Sequence, residues 1–143
     1  MGGVFTFRWK DLFESFTELR LTVSRLHIIQ SALRIGLALL LIGHGGFGAV
    51  VEKEMLLDHF GSIGIQIDLV TLIYVGYFEM VLGFLVLLWP TICLLWIIFV
   101  WKVFTEFLYV TDGGLINIWE FVERAGNYGI PIALILILRS RKL

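Results

Sequence analysis

Apolar residues crowd into four stretches of the chain, and a spanning helix needs about 20 of them in a row. The first stretch covers residues 35–51, with 31–34 available to extend it and Arg34 able to snorkel at its end. The second, 69–88, is interrupted only by Glu79, and the third, 91–110, by Lys102 and Glu106. The fourth must begin near Trp119 and run to about 138 to be long enough. That places Glu120, Glu123 and Arg124 in its first turns and Pro131 inside it, which membrane helices tolerate. Trp89-Pro90 reads as a tight joint that starts the third helix, and the longer connections cover 52–68 and 111–118. The pattern predicts an all-α, four-helix transmembrane bundle over residues 31–143.

Ahead of the bundle, Trp9, Leu12, Phe16, Leu19, Val23 and Leu26 recur at steps of three and four among charged neighbours. This spacing predicts an amphipathic helix within residues 1–30, lying on the cytoplasmic leaflet or packed on a partner subunit. The segment lacks the roughly 7–15-residue apolar core of a signal peptide.

Composition agrees with a lipid solvent. The 143 residues are 59% hydrophobic and 16% charged, with a mean hydropathy of +0.92, whereas soluble domains carry about 25% charged residues. A net charge of -1 leaves no nucleic-acid footprint, and one cysteine excludes a disulfide framework and any multi-thiolate metal site. The placement of charge is more informative than its total. Residues 1–34 and the tail hold eight basic residues, while the two longer connections and the start of span four hold Lys53 and Arg124 beside seven acids. The positive-inside rule then puts both termini in the cytoplasm, an arrangement that requires an even number of spans.

Ionisable side chains at membrane depth normally face the bundle interior with partners. Counting from the non-cytoplasmic helix ends at 1.5 Å per residue, Glu79 lies ~15 Å deep, Lys102 ~12 Å and His44 ~10 Å. Glu106 is one turn outward from Lys102, and Asn127 and Tyr128 reach a similar level. Faces also agree. Glu79 shares a stripe with Gly76 and Gly83, Lys102 with Glu106 and Tyr109, His44 with Gly48, and Asn127 with Glu120 and Glu123. His44, Glu79, Lys102, Glu106, Glu123, Asn127 and Tyr128 are therefore the candidate lining of one polar pocket, with Gly45, Gly48, Gly76 and Gly83 as packing positions.

Plainer readings accompany each of these. Glu79 and Lys102 suit a buried ion pair that fixes helix register. His44 suits a hydrogen-bonding core histidine, and the run Gly43-His44-Gly45-Gly46-Phe47-Gly48 suits close packing or a local irregularity rather than a phosphate loop. Cys93 is expected to be inert, and His27 and His59 to stand isolated near the interfaces. No metal site, haem-ligand pair or nucleophile–base set is legible.

In order along the chain, Arg34-x-Gly36, His44-Gly45, Glu79-x-x-x-Gly83, a short turn and Trp119-Glu120-Phe121-Val122-Glu123-Arg124 with Tyr128 and Pro131 resemble DoxX-like membrane proteins. The resemblance spans about residues 31–138. It implies a prokaryotic inner-membrane protein linked to quinone-reducing oxidation or to membrane oxidoreductase assemblies. Because no intrinsic redox motif is present, the leading expectation is an accessory subunit of a redox-linked complex, with other membrane subunits as partners or self-association. The alternative is a quinone-reducing oxidoreductase subunit whose pocket takes the quinone. A transporter ranks behind both, for want of the repeat architecture common in that class.

Overall fold

The computed structural model describes residues 23–51, 55–113 and 118–140. Every element among these residues is helical: α1 Val23–Ala49, α2 Met55–Gly61, α3 Leu69–Leu88, α4 Ile92–Gly113, α5 Ile118–Glu123 and α6 Ala125–Ser140. Four segments are long and apolar enough to cross a membrane, Arg25–Ala49, Leu69–Leu88, Ile92–Thr111 and Ile118–Ser140. Only 17–33% of the most apolar part of each is buried inside the chain, so most of the apolar surface is left for lipid. The protein is a multi-pass helical bundle.

The structure adds three details to this pattern. The first span does not begin near residue 31, because α1 is continuous through the proposed boundary from Val23. Its 27 residues make a rod of ~40 Å, longer than the hydrocarbon layer of about 30 Å. Val23 and Leu26 of the amphipathic stripe thus belong to α1, and the stripe's earlier positions lie outside the described residues. The connection after the first span contains a short helix, α2, which its lack of long apolar periodicity concealed. Finally, the fourth span is broken at Arg124 into α5 and α6.

Helix ends explain themselves locally. Asp68 is the N-cap of α3, its side chain accepting from Thr71 N at 2.8 Å, and hydrogen bonding by Thr71, first through its side chain and then through its backbone, holds the carboxyl below its ordinary pKa. Thr91 plays the same part for α4, its hydroxyl accepting from Leu94 N at 3.2 Å. At the end of α3, Pro90 has no N–H to offer the carbonyl of Val86. Arg34 supplies the missing donors from α1, reaching the carbonyls of Val86 and Leu87.

The bundle has two unlike halves. Toward the Trp89-Pro90 joint, Leu37, Leu41, Leu82, Val86, Leu95, Ile98, Leu134 and Ile135 from all four spans form a dry core. Toward α2, the buried residues include Glu79, Lys102 and Glu106. The tightest seam runs between α1 and α3. A Cβ on Gly45 or Gly76 would strike backbone atoms of the facing helix, and one on Gly83 would meet Ile42 and the carbonyl of Ala38. Glycine lets these helices approach to contact distance. Gly48 packs there as well, whereas Gly36, Gly43 and Gly46 face open space. α1 stays helical through its glycine run, so the run is not an irregularity, and Gly45 and Gly48 are its packing positions.

Candidate functional site

The polar half is organised around Lys102, whose side chain is 0% exposed. Its Nζ lies 3.1 Å from His44 Nδ1, 3.2 Å from Glu106 Oε1 and 3.4 Å from Glu79 Oε1. An ammonium has three protons and no acceptor, so three acceptors from three helices satisfy it. His44 Nδ1 must then be the unprotonated nitrogen, which assigns the proton of a neutral ring to Nε2. That nitrogen faces Glu106 Oε1 at 4.0 Å.

The two carboxylates are held differently. Glu106 is engaged at both oxygens: Oε1 accepts from Asn127 Nδ2 at 2.6 Å and forms an ion pair with Lys102, and Oε2 accepts from Arg124 Nη1 at 3.3 Å. Among the described residues, the donors to Glu79, Trp101 Nε1 at 2.7 Å and Lys102 at 3.4 Å, both converge on Oε1. Arg124 also reaches Glu120 Oε2 at 3.3 Å, and its guanidinium carbon sits 3.8 Å from the centroid of the Tyr109 ring. Glu79 and Glu106 thus face Lys102 and Arg124, while Glu120, whose side chain is 44% exposed, pairs with Arg124 at the edge of the cluster.

A cavity of about 60 Å³ adjoins this network. Its walls include His44, Glu79 and Glu106 from the cluster, Gly76 from the α1–α3 seam, and Leu56 and His59 from α2. Beside it, a polar recess of about 180 Å³ is lined by His44, Phe47, Leu56, Tyr109 and Arg124. His44, Leu56 and Tyr109 border both spaces. They form the partition between the recess and the buried carboxylates.

Four of the expected pocket residues, His44, Glu79, Lys102 and Glu106, come together, and Asn127 joins them through Glu106. Glu123 does not: it is exposed, and its neighbour Arg124 is the residue that reaches Glu106. Tyr128 is also diverted. Its hydroxyl donates to the carbonyl of Phe121 at 2.9 Å, and its ring stacks on that residue at 5.0 Å, bracing the break. His59 is not isolated, since it is buried and its ring centroid is 4.3 Å from that of Tyr109.

Sequence reasoning did not assign Arg124 and Trp101 to the site. The spacing of Glu120, Arg124 and Asn127 on one helical face was a usable signal for Arg124. Trp101 carries none, because it resembles the other lipid-facing aromatics of α4. Among the described residues no three histidine, cysteine, aspartate or glutamate side chains are grouped to hold a metal ion. No family model, curated protein or solved structure matches the chain.

Proposed function

We propose that the chain is an accessory subunit of a redox-linked complex in a prokaryotic inner membrane, with both termini in the cytoplasm. The observation that carries this reading is the form of its polar site. Lys102 and Arg124 pair with Glu79 and Glu106, and the cavity of about 60 Å³ beside them is far below the roughly 300–1,000 Å³ of ordinary ligand pockets. Such a site suits a subunit that holds charge and water for its neighbours. The resemblance to DoxX-like proteins supplies the redox link.

The second reading, a quinone-reducing subunit, draws on the recess of about 180 Å³ that opens beside His44 and Arg124. A quinone head group docked there would have hydrogen-bonding partners without entering the cluster.

Mild solubilisation of native membranes, followed by native gels and mass spectrometry, tests the choice. Co-migration of the tagged chain with oxidoreductase subunits supports the accessory role. Quinone bound to the isolated chain, with substrate-dependent quinone reduction, supports the second reading. An isolated chain with neither quinone nor partners overturns both.

A further inference from the structure

The cluster contains three carboxylates and two permanent cations, joined through Lys102 and Arg124. Glu120 lies at its exposed edge, and the bonding pattern of the rest limits where a proton entering the cluster can go. Every group facing the cavity has to be considered. From α1, His44 offers Nδ1 to Lys102 and, in that tautomer, already carries hydrogen at Nε2. From α4, Glu106 is engaged at both oxygens by Lys102, Asn127 and Arg124. His59 of α2 borders the same space, packed on Tyr109. Glu79 of α3 takes both of its donors on Oε1.

We propose that Glu79 is a proton-exchange site, loaded at Oε2 from water in the adjoining cavity, and that the proton arrives from the recess past His44, Leu56 and Tyr109. The cavity of about 60 Å³ has room for a few waters, each needing roughly 10–15 Å³ on the same measure. In the loading step a hydronium in the cavity gives its proton to Oε2. The O–H bond of the acid forms as that of the donor breaks, and no electrons change owner. Lys102 then remains bridged to Glu106 and His44, so the framework survives either state. The inference concerns the chain itself and does not depend on which complex it serves.

The test is infrared difference spectroscopy against pH on the purified full chain in lipid nanodiscs, with the fold of each variant checked by circular dichroism. Wild type should show the carbonyl stretch of a protonated carboxyl that grows as pH falls and shifts on transfer to heavy water. Glu79→Gln should abolish that band, and Glu79→Asp should keep it at a changed frequency. Leu56→Trp, which fills the partition, should leave the band in place and slow its deuterium exchange several-fold. Three results would overturn the proposal: no such band at any pH where the protein stays folded, a band unchanged by both Glu79 variants, or exchange indifferent to Leu56→Trp. If Glu79→Gln fails to fold, the Glu79→Asp frequency decides the identity of the group.

Discussion

Lys102 Nζ donates to His44 Nδ1 across 3.1 Å, joining α4 to α1 at the level where the core changes from apolar to charged. This contact makes a histidine ring the neutral acceptor for a buried ammonium. Removing the acceptor while leaving the ammonium costs about 1.5–3 kcal/mol, the usual range for a hydrogen bond to a charged group. His44→Leu should lose that much in an unfolding titration. His44→Asn, whose side-chain oxygen falls near the Nδ1 position, should recover most of it. Equal losses in the two variants would show that the ring contributes by packing.

Lys102 itself is the costlier deletion. Lys102→Met would leave Glu79 and Glu106 buried without their shared cation, and breaking a buried pair in this way costs about 3–5 kcal/mol. The double variant Glu79→Gln/Lys102→Met should be markedly more stable than Lys102→Met alone. A double-mutant cycle on unfolding free energies measures this coupling; additive losses would contradict it.

Glycine substitutions should separate the packing seam from the free faces. Gly76→Ala inserts a methyl against the backbone of Gly45 and Ala49, and overpacking of this kind costs about 1–3 kcal/mol. Gly43→Ala meets nothing within 4 Å and should stabilise α1 by about 0.5–1 kcal/mol through helix propensity. Melting temperatures of the two variants should move in opposite directions.

Asp68 gives a pH signature at the start of α3. Its carboxyl is held below the ordinary value of 3.8, first by the hydrogen bond with Thr71. A folded-state pKa below the unfolded one means that the ionised cap stabilises the fold above the ordinary value, with the benefit lost as pH falls through the depressed one. Asp68→Asn should retain the cap and remove this part of the acid sensitivity. Asp68→Ala should lower stability at neutral pH. Thermal melts of the three proteins between neutral and acid pH distinguish these outcomes.

The amino-acid sequence determined the class of the protein and the depth of its charges. Four apolar runs must be helices in a membrane, since no other open structure satisfies its own backbone there. Their ionisable residues must also seek one another, because lipid offers no partner. That is why His44, Glu79, Lys102 and Glu106 could be grouped from depth and helical face alone. Only the tertiary structure decided how they are shared. Arg124 and not Glu123 meets Glu106 at the cluster, and Tyr128 turns back to Phe121. Glu123 and Arg124 lie three and four residues after Glu120, so a helical repeat read along the chain does not choose between them. Likewise, α2 closes over the cavity through Leu56 and His59, a placement set by packing on α4 and unmarked by any pattern in its seven residues. Depth follows from local hydropathy; partnership follows from contacts between residues distant along the chain.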